Sequence, residues 1–204
     1  MKIITWNCNM AFRKKYKQIL PFKPDLLVLQ ECEHIDKLND TLEAMEYHQI
    51  IWHGINLNKG LAVISFNNID IELVTDFNQD FDFVLPIKFK LEQKWVNLFA
   101  VWAMLNKTQP SKSYVGQVWA AVNYNKATLP QLSIWIGDYN SNAIWDKKRR
   151  KGNHSDVVKL FNNHDIESIY HKQFKTKHGH EKHPTLYLLK KEEKPYHMDY
   201  CFFK

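Results

Sequence analysis

The run Asp25-Leu26-Leu27-Val28-Leu29-Gln30-Glu31 constrains this chain more than any other stretch. Four consecutive apolar residues, entered just after Pro24, leave no polar face for solvent, so a strand here is buried on both sides. Such a strand needs packed layers above and below it. Around it, short β-rich runs alternate with helical stretches. Strands are expected over residues 2–6, 61–65, 70–74, 84–90, 95–102, 132–136, 185–189 and 197–203. Helices are expected over 11–20, ended by Pro21, and over 36–46, 113–127 and 154–163. No repeat or linker interrupts the pattern. The expectation is one domain over residues 1–204, of α/β (α+β) class with several antiparallel pairs.

Composition sets the outer bounds. The 204 residues are 45% hydrophobic and 25% charged, which excludes a disordered chain and suffices for a sizeable core. The net charge of +6 favours an anionic partner in a general way. Neither a charged-then-apolar leader nor a long apolar stretch is present in the sequence, so no membrane association is expected. Three cysteines, Cys8, Cys32 and Cys201, without C-x-x-C spacing suggest neither a disulfide framework nor a zinc site. A reduced, cytoplasmic protein with no obligate protein partner is the simplest reading. Strand alternation puts Cys201 on the same face as Asp199. The histidines over 154–183 lack a spacing such as His-Glu-x-x-His, and His178-Gly179-His180 reads as an exposed loop.

Chemistry gathers at strand ends. Asn7 follows Ile3-Ile4-Thr5-Trp6, Gln30-Glu31 follows Leu26–Leu29, and Asp138 with Asn140 follows Ile134-Trp135-Ile136-Gly137. A further acid, Asp199, lies within the late strand. A carboxylate beside buried apolar residues is costly unless something pairs with it. Groups at several strand ends can converge on one rim of a sheet, where ligands bind. Singly, each reads as a turn former or a cap. Together, as hard oxygen donors, they suit Mg²⁺ or Mn²⁺ far better than zinc.

The ordered set Trp6-Asn7, Gln30-Glu31, Gly137-Asp138-Tyr139-Asn140 and Met198-Asp199-Tyr200 resembles the endonuclease/exonuclease/phosphatase family. Two more segments are similar, Lys59-Gly60-Leu61-Ala62-Val63-Ile64-Ser65 and His183-Pro184-Thr185-Leu186-Tyr187, so the likeness spans nearly the whole chain. The resemblance implies a four-layer sandwich of two mixed β-sheets flanked by helices, with the active site at one end. It implies Glu31 as principal ligand of a Mg²⁺ or Mn²⁺ ion, with Asn7 beside it at the metal or a phosphate oxygen. Asp138 would orient or deprotonate the attacking water, Asn140 would hydrogen-bond the scissile phosphate, and Asp199 would orient a histidine. Trp102 and Thr185 would stand on the substrate side.

The chain also departs from the family pattern. The Ser-Asp-His motif expected after the late Asp strand does not occur in these residues. Either that strand lies beyond Lys204, which is the favoured expectation, or one of His171, His178, His180, His183 and His197 substitutes. Trp102 stands where the family usually has a His or Tyr, and Ser141-Asn142 stands where the inositol-phosphate phosphatase version of the Gly-Asp-x-Asn motif would carry an arginine. The implied function is metal-dependent phosphoester hydrolysis, as a nuclease or phosphodiesterase, by in-line attack of water on phosphorus. The alternatives are a phosphomonoesterase for a small soluble ester, and an inactive relative that binds nucleic acid or protein. Lys147-Lys148-Arg149-Arg150-Lys151 could hold a nucleic-acid backbone, although a solvated basic loop is the slightly favoured expectation.

Overall fold

In the computed structural model, which describes residues 1–74, 81 and 83–204, the first sheet is built from β1 (Ile3–Asn7), β2 (Leu26–Cys32), β3 (Gln49–Asn56) and β4 (Lys59–Ser65). Their order is β1-β2-β4-β3, with β1 and β2 parallel and the other pairs antiparallel. The short helices α1 (Phe12–Lys15) and α2 (Asn39–Met45) belong to this half. The second half holds β5 (Ile71–Leu73), β6 (Val84–Leu91), β7 (Lys94–Trp102), α3 (Val115–Tyr124), β8 (Ser133–Asp138) and α4 (His154–Asn162). It continues with β9 (Glu167–Ser168), α5 (Ile169–Phe174), β10 (Leu186–Tyr187), β11 (Pro195–Tyr196) and β12 (Asp199–Phe203). The second sheet runs β5-β6-β7-β8-β12-β9 and is mixed through the parallel β7–β8 pair, while β10 and β11 form a small separate ladder.

Three apolar layers hold these parts together, and β2 touches two of them. Leu26 and Val28 face the second sheet, in a layer shared with Leu85, Leu98, Ile134 and Ile136. Leu27 and Leu29 point the other way, against Phe12 of α1 and Leu42 and Met45 of α2. All four leucine and valine side chains are fully buried. Burying such a side chain is worth roughly 1.5–3 kcal/mol, so both faces of β2 contribute. The third layer joins the outer face of the second sheet to α3 and α4, where Val115, Val118 and Val122 at helical spacing meet Phe99, Trp135, Val157 and Phe161. Helix, sheet, sheet, helix is the four-layer sandwich expected from the sequence.

Several local expectations shift. The helix expected over 11–20 stops at Lys15 and continues as two 3₁₀ turns, Tyr16–Gln18 and Leu20–Phe22. Pro21 has no N–H to extend a helix, and Lys23 closes the segment at φ +48°. β3 answers to no expected strand. The strand expected over 185–189 is only Leu186–Tyr187 before a turn in which Leu189 takes φ +57°. β1 ends the first sheet, and among the described residues no strand pairs with its outer side.

The approach of β7 to β8 is tightest at Gly137. Its φ is +145°, and a Cβ there would lie 1.9 Å from the Val101 carbonyl oxygen. Gly137→Ala is therefore expected to destabilise the fold by roughly 2–4 kcal/mol, through strain and overlap with a backbone that cannot yield. Denaturant unfolding checks this; an unchanged midpoint would refute the close approach.

Candidate active site

Each polar group of the site owes its position to a strand end. The parallel register pairs Asn7 with Gln30, so β1 and β2 end on the same rim. Beyond Gln30 the β2–β4 register slips, and Glu31 takes φ +56°. A non-glycine residue in the left-handed region costs on the order of 1 kcal/mol, and such bulges re-aim side chains. The Glu31 carboxylate there accepts from Asn7 Nδ2 at 3.3 Å. In the second sheet, antiparallel pairing puts Asp199 of β12 directly opposite Asp138 of β8.

Asp138 is the hub. Its Oδ1 accepts from the Asn140 backbone N–H at 2.8 Å, and its Oδ2 from Asn140 Nδ2 at 3.0 Å and Asn7 Nδ2 at 3.1 Å. Asn140 reaches this position at φ +45°, a conformation that asparagine tolerates. The bond from Asn7 to Asp138 crosses from one sheet to the other. Asn7 Oδ1 accepts from Asn9 N–H at 3.1 Å, so the Asn7 amide ties Glu31 to Asp138 while its oxygen is engaged elsewhere. Thr185 Oγ1 accepts from Met198 N at 3.0 Å and Asp199 N at 3.2 Å, which pins the start of β12. Asn7, Glu31, Asp138, Asp199 and Thr185 all line one cavity of about 770 Å³.

Trp102 lies elsewhere. It is 2% exposed, edge-on to Phe83 at 4.9 Å between centroids, and off the cavity wall. Above its ring sits Lys59 Nζ, 4.8 Å from the centroid and 3.6 Å from Glu31 Oε1. Lys59 was not singled out from the sequence as a site residue, although it leads the glycine-containing strand β4. Of the five candidate histidines, His197 lines the cavity. Its Nδ1 meets the His183 carbonyl at 2.7 Å, its Nε2 is buried without a hydrogen bond, and burial lowers its pKa. It stands as a neutral acceptor rather than a cation. Cys201 shares the cavity face with Asp199, as alternation requires.

Crowding sets the electrostatics. Burial pushes the Asp138 carboxyl up to about 6, with Glu31 adding repulsion, although hydrogen bonds from Asn140 and Asn7 pull the other way. Burial and then the Asp138 charge push Asp199 up to about 7, against the Thr185 hydroxyl. Three carboxylates facing one cavity, two of them resisting ionisation, form an oxygen donor set short of positive charge. That set fits a divalent cation such as Mg²⁺ or Mn²⁺.

A family model described as "Endonuclease/Exonuclease/phosphatase family" matches residues 4–204. The chain belongs to this family. Solved structures of the same fold agree. The endonuclease domain of TRAS1, a telomere-specific non-LTR retrotransposon, is 12% identical, with 98% of this chain and 82% of that one covered at a TM-score of 0.64. The 3'-5' exonuclease NExo from Neisseria meningitidis is 19% identical, covering 100% and 87% at 0.67. An AP endonuclease from Archaeoglobus fulgidus is 16% identical, covering 100% and 86% at 0.65. Comparison with curated proteins finds no match.

The raised acid pKa values of this family member have a stability consequence. A carboxyl whose folded pKa lies above its unfolded value favours the fold while protonated; that contribution fades as pH climbs from about 4 through about 7. Asp199→Asn, which cannot ionise, should therefore melt close to wild type near pH 4 and several degrees higher near pH 8 without metal, at about 2–4 °C per kcal/mol. Melting curves across pH decide it, and a gap that does not grow with pH would contradict the crowding.

Proposed function

We propose that the chain is a divalent-metal-dependent phosphoester hydrolase, acting as a nuclease or phosphodiesterase at the cavity between the two sheets. The observation that carries this reading is the convergence of Asn7, Glu31, Asp138 and Asp199, from four strand ends, on one cavity, with Asn140 hydrogen-bonded to Asp138. A Mg²⁺ or Mn²⁺ ion held by Glu31 would offset charge on the phosphoryl oxygens. Asn7 positions the Glu31 and Asp138 carboxylates relative to each other. Asp138, poised at about 6, accepts the proton of the attacking water as the new P–O bond forms and the ester P–O bond breaks. Asn140 turns its amide toward the same centre and holds a phosphate oxygen. Asp199 supports Asp138 across the strand pair, and Thr185 fixes that strand at the cavity edge.

Nucleic acid is the favoured substrate. Lys147, Lys148 and Arg149 are exposed. A separate, smaller cavity is lined by Asn140, Trp145, Lys147 and Arg150, so it joins the Asn140 side of the site to that loop. This arrangement suits a phosphate backbone running past Asn140. The net charge of +6 acts in the same direction.

Two measurements test the proposal. Plasmid DNA, an oligonucleotide and generic phosphodi- and phosphomonoesters are incubated with Mg²⁺ or Mn²⁺ and with chelator. Turnover should require metal, rise with pH through about 6, and fall by about 10²–10⁴-fold in Asp138→Ala. No metal-dependent turnover of any of them, with DNA binding intact in Asp138→Ala, would make the protein a binding relative. Separately, Lys148→Glu with Arg149→Glu should weaken DNA binding alike for all sequences and flatten its salt dependence. A salt-independent wild type would point instead to a small phosphate ester.

A further inference from the structure

On the far side of β12 from the carboxylates, three histidines and a glutamate meet in a largely enclosed knot. His171 comes from α5, His178 and Glu181 from the segment after it, and His154 from the first turn of α4. The His171 and Glu181 side chains are 9% and 3% exposed. One ligand atom from each of His171, His178 and Glu181 falls within 4.8 Å of the others. We propose that His171, His178 and Glu181 form a second metal site, selective for Zn²⁺ over Mg²⁺, that staples α5 and the 175–183 segment to the sandwich.

The hydrogen bonds outside the trio are those a zinc site uses. His171 Nδ1 meets Ser168 Oγ at 2.7 Å, leaving Nε2 toward Glu181 Oε1 at 3.0 Å. His178 Nδ1 meets His154 Nε2 at 3.0 Å, and His154 Nδ1 meets Ser141 Oγ at 3.3 Å. One consistent proton assignment runs His178 Nδ1–H to His154, then His154 Nδ1–H to Ser141, and leaves His178 Nε2 bare. Metal-ligating histidines characteristically anchor their second nitrogen in this way. Glu181 Oε2 accepts from Asn142 Nδ2 at 3.0 Å and Gly179 N at 3.1 Å, which orients the carboxylate. Two imidazole nitrogens and one carboxylate oxygen match the donor preferences of zinc.

Enclosure points the same way. The Glu181 side chain is 3% exposed and is set against the His171 and His178 imidazoles, a donor set that a cation would complete. Ser141 and Asn142 are themselves buried and directed at this knot.

The site is tested by titrating chelator-treated protein with Zn²⁺ in saturating Mg²⁺, by calorimetry, and with Co²⁺, by its visible absorption. Wild type should take up one Zn²⁺ per chain and give the intense band of four-coordinate Co²⁺. Glu31→Gln should keep that binding, because the oxygen site lies elsewhere. His178→Ala and Glu181→Gln should lose it, exposed His180→Ala should retain it, and Ser168→Ala should weaken it by about 10–100-fold. The Ser168→Ala result and the wild-type Co²⁺ spectrum decide the matter even where a ligand variant fails to fold, which circular dichroism reports. No saturable Zn²⁺ binding by wild type, or binding that survives in folded His178→Ala and Glu181→Gln, would overturn the proposal.

Discussion

Everything at the rim depends on how closely the two sheets pack. Leu26 and Val28 of β2 interdigitate with Ile134 and Ile136 of β8 in one dry layer, and that contact sets the gap between the strand ends. The Asn7–Asp138 hydrogen bond closes the gap at 3.1 Å, joining residues 131 apart in the chain. Neither sheet holds the site by itself. Asn7 and Glu31 come from the first, Asp138 and Asp199 from the second. A change in inter-sheet packing of even a methylene would therefore be felt at the carboxylates, because close-packed interiors transmit such shifts.

The same convergence is a local conflict that the fold sustains. Glu31 is held in left-handed backbone, Asp138 and Asp199 face each other with pKa values near 6 and 7, and Gly137 allows the chain to pass under the Val101 carbonyl. The Glu31 backbone and the facing carboxylates cost stability without assisting the core, whereas Gly137 is what lets β7 and β8 pair so closely. Strain and unfavourable charge concentrated where strands end in a cavity are what a reactive centre requires. The surrounding layers, with β2 buried on both faces, over-determine these positions firmly enough to keep them.

That division explains what could be read from the chain itself. Leu26–Leu29 announces a doubly covered strand, and the polar residues that end the apolar runs mark Asn7, Glu31, Asp138 and Asn140, because burial pattern and chemistry change at the same residue. Asp199 was legible as an acid inside an apolar strand, its register with Asp138 only from the sheet. Lys59 was not, because a lysine opening a strand is ordinary and its position over Trp102 is a tertiary fact. β9, β10 and β11, of two residues each, and α5, of six, are too short for any periodicity to show. His178 read as part of an exposed loop, yet its ring stacks on His171 at 3.5 Å between centroids. His178 and Glu181 share one segment and His171 lies in the helix before it, but the set matches no familiar ligand spacing, and His154 comes from α4.

The segment from Gly137 to Asn142 joins the two halves of this chemistry. Asp138 lines the cavity with Asn140 bonded to it, while Ser141 and Asn142 turn toward the histidine knot. Asn142 Nδ2 reaches Glu181 Oε2, the His197 carbonyl at 3.0 Å and Tyr200 Oη at 3.1 Å, so it ties the knot to the residues flanking Asp199. The cavity's outer wall includes Ile169, Tyr170 and Gln173 of α5, the helix that also carries His171. A short helix of this kind has little stability of its own, and its place depends on tertiary ties. The polar contacts of His171 and Glu181 are those ties, so the order of the cavity wall and the integrity of the knot are one physical quantity.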